Sequence, residues 1–211
     1  SDTLKTAIGA GAWAAGNTYP TVVAYVSNCG TQTASVCASG KATNPIPGSP
    51  TTTASNEYDG TSWAATGVVG TARYGTGTSG VGTQAAALFT GGYEPANSVK
   101  TEEYNGSTWT EVNSLNTTQQ YQMQSAGSPQ TAAVAVSGHP TSVCEEYDGT
   151  SWATNPTALN AAGYFGGGAG TQTAALAAAG QNRTTSAEEY NGSAWTAVNA
   201  FPTATSRVSM C

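Results

Sequence analysis

The chain has 211 residues, of which only 9% are charged, and twelve Asp and Glu outnumber six Lys and Arg. Because charged residues are few and the net charge is negative, the chain lacks the basic stripe that nucleic-acid-binding proteins need. The same composition excludes a cationic helix that binds a membrane surface. The longest apolar stretch, around residues 174–179, is too short to span a bilayer. Five Trp, ten Tyr and an apolar share of 38% argue against disorder and favour an ordered β protein with a thin core.

An eight-residue motif that ends in tryptophan occurs four times in the sequence. Its copies are residues 56–63, 102–109, 145–152 and 188–195. Successive tryptophans are 46, 43 and 43 residues apart, and Trp13 resembles the end of a fifth, degenerate copy. A second signature precedes each motif, at residues 30–34, 82–86, 127–132 and 170–174. Two signatures with one period establish an internal repeat of similar supersecondary units.

Each repeat unit is predicted to contain four short strands. The motif holds an Asp-Gly or Asn-Gly pair between a Glu-Tyr segment and the tryptophan, which predicts a hairpin with a two-residue type I′ turn and positive φ at both central residues. The glycines of these pairs are Gly60, Gly106, Gly149 and Gly192. Small apolar segments precede the hairpins at residues 84–92, 131–138 and 173–180. Because these segments are short and bracketed by glycine, we interpret them as buried strands.

About forty residues that give four strands are the size of one β-propeller blade. We therefore predict an all-β fold, a β-propeller of about five four-stranded antiparallel blades or an open segment of a longer propeller. The units are predicted near residues 1–29, 30–66, 67–112, 113–155, 156–198 and 199–211, the first and last being partial. The repeated aromatic residues are expected to pack the blades. They are Trp13, Trp63, Trp109, Trp152, Trp195, Tyr58, Tyr104, Tyr147 and Tyr190.

The two ends of the chain are similar to each other, since residues 1–29 repeat residues 183–211. A fifth blade is expected to combine strands at residues 3–15 and 206–211, with one strand missing. Two interpretations stay open. The chain is either a five-bladed ring whose last strand is absent or comes from another chain, or an excerpt of a longer repeat array. We favour the excerpt, because a natural chain seldom stops one strand short.

The order of a glycine-containing strand, a Tyr-Asp-Gly turn and a tryptophan resembles kelch repeats, which carry a Gly-Gly pair before such a turn. Gly91 and Gly92 match that pair, whereas the other units have Ser39-Gly40, Ser137-Gly138 and Ala179-Gly180. The fuller wording, Gly-Thr-Gln-Thr-Ala-Ala-Leu followed by Glu-Glu-Tyr-Asn-Gly-Ser-Thr-Trp, looks like the kelch-like repeats of tail-fibre and other structural proteins of marine bacteriophages, including cyanophages. The resemblance covers nearly the whole chain and implies a kelch-like propeller on the surface of a virion, outside the cell.

The four cysteines leave two possibilities open. Cys29 and Cys37 fall on adjacent strands of the first unit, so a cross-strand disulfide is plausible. The alternative is four buried free thiols, as in a protein assembled in a reducing cytosol. Cys211 is equivalent to Cys29, and Cys144 has no obvious mate. Since the cysteine spacing is not that of a zinc site and the chain has one histidine, we expect no metal site and no cofactor.

The sequence holds few residues suited to catalysis. His139, the only histidine, precedes Pro140 in a predicted loop, and no Ser or Cys is positioned to form a triad with it. The Glu-Glu pairs lie at residues 102–103, 145–146 and 188–189. Adjacent strand residues point to opposite faces, so these carboxylates do not converge as a glycosidase pair. We expect one solvated and one capping or pairing Glu in each blade, with a repeated cation site as the minor alternative, and no enzyme activity.

Aromatic residues that do not recur with the repeat are the candidates for binding. Tyr93, Tyr121, Tyr164 and Phe165 lie in connections or at strand starts, where binding residues often sit. Tyr121 and Gln124 belong to a polar segment, residues 116–124. The alternative is that this segment is an ordinary inner strand with no binding role. Tyrosine beside Asn, Gln and Thr suits sugar stacking combined with polar hydrogen bonds.

Three functions are compatible with these features. The first is a non-enzymatic virion surface protein, a phage fibre or capsid-attached fibre that contacts host-surface glycans. The second is a purely structural filament subunit whose incomplete blade is completed by a neighbour. The third, a glycan depolymerase, lacks the converging acid pair that it needs. The expected partners are other virion or fibre subunits in an oligomeric assembly and a host cell-surface glycan, with no nucleic acid and no membrane insertion.

Overall fold

The computed structural model describes residues 16–42, 50–76, 81–120, 127 and 129–207. These residues form 19 β-strands. They contain no helix, so none there is long and apolar enough to cross a membrane. The first strands are β1 (Val23–Ala24), β2 (Ser27–Thr31), β3 (Ala34–Ala38), β4 (Lys41–Ala42), β5 (Ser55–Tyr58) and β6 (Trp63–Ala65). They are followed by β7 (Val81–Thr83), β8 (Ala86–Thr90), β9 (Tyr93–Glu94), β10 (Ala96–Asn97), β11 (Thr101–Tyr104) and β12 (Trp109–Val112). The remaining strands are β13 (Ala133–Gly138), β14 (Thr141–Tyr147), β15 (Trp152–Thr154), β16 (Gly167–Thr171), β17 (Ala174–Ala178), β18 (Ala187–Tyr190) and β19 (Trp195–Ala197).

Four antiparallel sheets form the blades of a β-propeller, which confirms the predicted fold. Their strand orders are β2-β3-β5-β6 in blade 1, β7-β8-β11-β12 in blade 2, β13-β14-β15 in blade 3 and β16-β17-β18-β19 in blade 4. Two short pairs, β1 with β4 and β9 with β10, lie outside these sheets. The described part of the chain thus has four blades, and not five. Residues 3–15 and 208–211, from which a fifth blade was expected, lie outside the described residues, as does Trp13.

The hydrophobic core lies between the blades. The small apolar segments are strands β8, β13 and β17, and most of their side chains are buried, as expected. Small side chains allow neighbouring sheets to approach closely. Three buried clusters each join two successive blades. They include Val36, Phe89 and Trp109; Leu88, Ala135 and Trp152; and Val136, Ala177 and Trp195.

Each blade ends in a hairpin in which the repeated tyrosine lies opposite the repeated tryptophan. The ring centroids of each pair are 4.8–5.1 Å apart. The four pairs are Tyr58–Trp63, Tyr104–Trp109, Tyr147–Trp152 and Tyr190–Trp195. The last three tryptophans are buried, whereas Trp63 is half-buried. These aromatic residues pack the blades, as the repeat predicts.

The turns of these hairpins differ from the predicted type I′ geometry. Four residues separate Tyr58 from Trp63, and the Asp59 carboxylate accepts hydrogen bonds from the amides of Thr61 (2.8 Å) and Ser62 (2.7 Å). Only the glycine of each turn has positive φ; Gly60, Gly106, Gly149 and Gly192 have φ of 87–90°. The prediction of a hairpin was right, and that of two residues with positive φ was wrong, because the Asp or Asn side chain caps a wider loop.

A glutamine crosses from each of blades 2, 3 and 4 to the preceding blade. The Gln84 side-chain amide donates to the carbonyl oxygens of Tyr58 (2.9 Å) and Ser35 (3.3 Å). Gln130 donates in the same way to the carbonyl oxygens of Tyr104 and Ala87. Gln172 donates to those of Tyr147 and Ala133. An amide nitrogen carries two hydrogens, so one glutamine satisfies carbonyls on two strands of its neighbour. This residue of the second signature therefore fixes the spacing between blades.

The repeated tyrosine supplies a second bond between blades through its hydroxyl group. Tyr104 donates to Glu57 (2.9 Å) and Tyr147 to Glu103 (2.9 Å). Tyr190 makes the equivalent bond to Glu146, which also accepts from Asn155 at 2.8 Å. Burial raises the pKa of Tyr147 and raises that of Tyr190 to about 12, and the bonded carboxylate adds to both shifts. Both hydroxyls therefore keep their protons near neutral pH.

Removing one of these hydroxyls should loosen one junction between blades. We expect Tyr147→Phe to lower the free energy of unfolding by roughly 1.5–3 kcal/mol, the usual range for a hydrogen bond to a charged group. Urea unfolding of this variant, of Glu103→Gln and of the double variant forms a thermodynamic cycle. If the two single losses simply add, Tyr147 and Glu103 are not coupled, and the hydrogen bond between them does not stabilise the junction.

The two Asp-capped turns make stability depend on acid pH. The amides of Ser62 and Thr61 lower the pKa of Asp59, and those of Ser151 and Thr150 lower the pKa of Asp148. The folded pKa lies below the unfolded value of about 3.9, so this stabilisation is complete above that value and is lost as the pH falls through the folded pKa. The equivalent turns use Asn105 and Asn191, which cap in the same way without titrating.

We therefore expect the double variant Asp59→Asn, Asp148→Asn to remain folded and to lose less stability between pH 5 and pH 3 than the parent, with both limits set by the ordinary Asp pKa of about 3.9. The measurement is the urea midpoint at each pH. Equal losses in parent and variant would show that these turns do not contribute to the acid sensitivity.

Candidate functional site

The antiparallel order of each blade separates the repeated turns from the variable connections. The first strand of a blade begins at the end where its second strand finishes, so the connection into the blade and the link between its second and third strands lie together. We call this end the variable face. The Gln-containing turns and the Asp-Gly or Asn-Gly hairpins lie at the opposite end. Backbone pairing joins the two variable segments in every blade, namely Ala24 with Lys41, Tyr74 with Tyr93, Gln120 with His139, and Tyr164 with Gln181.

A left-handed bend places the second residue of each pair on the variable face. In blade 2, Gly91 and Gly92 precede Tyr93 and have φ of 62° and 97°. A Cβ atom on Gly92 would lie 2.7 Å from the Thr76 side chain and 3.0 Å from the Tyr74 carbonyl oxygen, so only glycine fits. The scaffold thus fixes the glycine before this position and leaves the residue at the position itself free to vary. Lys41, Tyr93, His139 and Gln181 occupy that position in blades 1 to 4.

Six rings on the variable face form a continuous chain of contacts, which we call the aromatic arc. In order, the arc consists of Tyr93, Tyr74, Tyr25, Phe165, Tyr164 and His139. Successive ring centroids are 5.3–6.2 Å apart. Because the arc combines rings from all four blades, it lies where the blades converge. Tyr25, at the middle of the arc, is 46% exposed.

Polar and cationic groups border the arc. The Lys41 ammonium lies 5.1 Å from the centre of the Tyr74 ring, and the Arg207 guanidinium lies 5.2 Å from the centre of the Phe165 ring. The Gln120 side-chain nitrogen is 3.3 Å from Nδ1 of His139. Half-buried aromatic faces edged by a few polar groups are typical of ligand sites.

The binding residues predicted from the sequence are partly brought together. Tyr93, Tyr164 and Phe165 all belong to the arc, although Tyr93 is at one end of it. Tyr121 and Gln124 lie outside the described residues. The Gln119 side chain is buried and Gln120 faces His139, so the start of the polar segment 116–124 lies beside the arc.

Sequence reasoning missed five members or neighbours of the arc, which are Tyr25, Tyr74, Lys41, His139 and Arg207. The first two are non-repeating aromatics, by the same criterion that identified Tyr93. A clear signal was available for Lys41 and His139, since each directly follows the second residue of its Gly-Gly or Ser-Gly pair. His139 was interpreted as a loop residue without a function, whereas its ring packs edge-on against Tyr164.

The Glu-Glu pairs are structural, and the predicted capping or pairing Glu is the first member of each pair. The first Glu of each pair is buried and bonded to the connection that enters its blade. Glu102 binds Arg73 (2.7 Å) and the Gly70 amide (2.6 Å), and Glu188 binds Arg183 (2.7 Å) and Asn160. Glu145 instead accepts from two backbone amides and from the Asn116 side chain.

One Glu of each pair was expected to be solvated, and the second Glu is the more exposed one in every pair. In blades 2 and 3 it is half-buried and accepts the tyrosine hydroxyl of the next blade, and only Glu189 in blade 4 is exposed. The two members of each pair point to opposite faces of the sheet, so their carboxylates do not converge. Among the described residues, no group of three or more Asp, Glu, His and Cys is arranged to hold a metal ion.

The structure has no disulfide between Cys29 and Cys37, which are both free thiols, as is Cys144. Cys29 lies opposite Val36, and Cys37 lies opposite Asn28, so the two cysteines are one register position apart and face opposite sides of the sheet. Of the two possibilities that the sequence left open, the structure therefore has free thiols at these positions and not the cross-strand disulfide. Burial raises the pKa of Cys29 and Cys144 to about 12 and that of Cys37 to about 11, so these thiols are poor nucleophiles near neutral pH.

Cys144 also replaces a hydroxyl group in the packing between blades. The Trp109 indole nitrogen donates to Ser55 (3.1 Å), and that of Trp152 donates to Thr101 (3.0 Å). Cys144 is the equivalent residue in blade 3, and the buried indole nitrogen of Trp195 has no hydrogen-bond partner. A thiol is a weak acceptor, which explains why this one junction is left unsatisfied.

The sequence was compared with models of known protein families and with curated proteins, and it matches none of them.

Proposed function

We propose that this chain is a non-enzymatic surface protein of a virion, a phage fibre or capsid-attached fibre, that uses the aromatic arc to contact glycans on the host surface. The observation that carries the proposal is the arc itself. Six ring side chains from four blades meet on the face whose residues differ from blade to blade. The sequence resemblance to kelch-like repeats of marine phage structural proteins supports the virion location.

The repeat separates residues that the fold requires from residues that it does not. The glutamines, turn caps and Tyr–Trp pairs recur because each blade needs the same contacts. At the equivalent positions of the variable face the side chains are Lys41, Tyr93, His139 and Gln181, which share no structural task. Variable residues that gather on one face of a rigid scaffold are typical of a binding surface.

The chemistry of the arc suits sugars. Tyrosine rings offer flat apolar faces for the C–H surfaces of a pyranose, and the adjoining amides and hydroxyl groups hydrogen-bond its hydroxyls. Tyr25 presents such a ring with nearly half of its surface exposed. The described carboxylates of the Glu-Glu pairs are either engaged in blade packing or isolated, as Glu189 is, which supports binding without hydrolysis.

Truncation of the arc should abolish glycan binding without unfolding the propeller. We expect Tyr25→Ala and Tyr164→Ala each to weaken retention on a bacterial surface-polysaccharide array by about tenfold or more, the loss typical of a central aromatic contact. Thr110→Ala is the control, because Thr110 is exposed on the outer strand of blade 2. Thermal midpoints of all three variants should be reported with the binding data. Binding that survives both arc substitutions would place the site elsewhere.

A second candidate function is assembly with a neighbouring chain, and blade 4 favours it. Glu189 is exposed, although its equivalents in the preceding blades accept a tyrosine hydroxyl of the next blade. A cavity of about 370 Å³ adjoins it, lined by Ala174, Ala175, Leu176 and Tyr190 among others. Gln32, the blade 1 counterpart of the bridging glutamines, is also exposed. The exposed side of blade 4 thus has the acceptors, and the exposed side of blade 1 has the glutamine, of a junction between blades. A head-to-tail contact between two chains would bring these two sides together.

If blade 4 receives a neighbour, the mass of the particle in solution should rise with protein concentration. Sedimentation velocity measures this directly. Ala174→Arg, which places a charge in the cavity, should shift the particle toward the monomer, whereas Thr110→Arg adds the same charge elsewhere and should not. A chain that remains monomeric at all concentrations would eliminate the assembly function and leave glycan contact as the sole candidate.

A further inference from the structure

We propose that the aromatic arc selects acidic glycans, those that carry carboxylate or sulfate groups, and that Lys41 and Arg207 provide this selectivity. The inference rests on the proposed function and specifies its ligand class. It comes from the distribution of cations in a chain that has very few of them.

Most of the cationic side chains in the described residues are already engaged by carboxylates. Arg73 and Arg183 are buried in ion pairs of 2.7 Å with Glu102 and Glu188. Lys100 lies 3.4 Å from Glu111 and also donates to Thr71. The lysines and arginines without an ion pair, within the described ranges, are Lys41 and Arg207. Both contact the arc.

These two cations flank Tyr25, an exposed ring at the middle of the arc. Lys41 lies over Tyr74 and Arg207 over Phe165, and the rings of Tyr74 and Phe165 are 5.8 and 6.2 Å from that of Tyr25. A saccharide stacked on Tyr25 therefore has a positive charge on either side. An acidic sugar can place its carboxylate or sulfate toward one of them, and the planar guanidinium of Arg207 can bind it through two parallel hydrogen bonds.

Among the described residues, the acidic groups nearest to the arc do not cancel this local charge. Glu94 follows Tyr93 at one end of the arc, where the Ser98 hydroxyl donates to it at 3.3 Å, and the rings of Tyr93 and Tyr74 separate it from Tyr25. The turn carboxylates Asp59 and Asp148 lie at the opposite end of the blades. The net charge of −6 repels a polyanion at long range. A preference for an acidic glycan must therefore come from contacts within the arc.

The alternative is that both cations only cap aromatic rings and contribute to packing. A matched pair of polymers distinguishes the two roles. Polygalacturonate and its methyl ester share a backbone and hydroxyl groups and differ in charge. Binding of the full chain to each polymer is measured by biolayer interferometry at several salt concentrations. The variants are the double variant Lys41→Gln, Arg207→Gln, and Lys100→Gln as a control that removes one positive charge at an ion pair away from Tyr25.

We expect the parent chain to bind polygalacturonate about tenfold or more tightly than the ester, with an affinity that falls as salt rises. The double variant should bind both polymers alike, and Lys100→Gln should keep the preference. Equal binding of both polymers by the parent, or a preference that survives in the double variant, would overturn this inference and leave glycan binding intact. Failure to bind either polymer, together with failure on the polysaccharide array, would overturn both proposals.

Discussion

The glutamine that crosses from one blade to the preceding one is the interaction on which this propeller depends. The blades are thin and rich in alanine, so the packing of their small side chains does not by itself set one distance between neighbouring blades. Gln84, Gln130 and Gln172 each fix that spacing by bonding carbonyls on two strands of the neighbour. The tyrosine hydroxyl adds a second, charge-assisted bond at the same junction. Directional polar contacts thus take the place that large apolar side chains have in a thicker core.

Because these contacts are all made by repeated residues, the side chains that follow the bends on the variable face can differ from blade to blade. The bend at residues such as Gly91 and Gly92 delivers one side chain per blade to that end, whatever its chemical type. Rings from different blades meet there, and two cations stand beside them. The scaffold thus combines similar blades with one face of unlike side chains.

Local chemistry explains why the sequence predicted so much of the fold. The period of the tryptophans and the Asp-Gly or Asn-Gly pairs locate hairpins, and the glycine brackets identify the buried strands. The turn type was missed at Asp59, since a side-chain cap competes with the backbone turn that the dipeptide alone favours. The sequence left a disulfide between Cys29 and Cys37 open, because adjacency of strands does not fix register, and a shift of one residue sends the side chains to opposite faces.

The candidate site was predictable only in part. Non-repetition identified Tyr93, Tyr164 and Phe165, and the same criterion applied consistently would have added Tyr25 and Tyr74. It could not show that these rings touch, since their contacts join residues up to 140 positions apart, as in Tyr25 and Phe165. Arg207 illustrates the limit, because nothing in its local sequence indicates that it reaches the Phe165 ring.

The buried glutamates show how far the blades are from being interchangeable. Arg73 neutralises Glu102 from the connection that enters blade 2, whereas Arg183 neutralises Glu188 from the link between the second and third strands of blade 4. Gly163 stands where blade 2 has Arg73, and a Cβ atom there would lie 2.3 Å from Arg183. Exchanging the entering connections of blades 2 and 4 would therefore leave Glu102 with no arginine and give Glu188 two. Each of these arginines is therefore matched to the glutamate of its own blade, whereas Glu145 in blade 3 is held by amide groups.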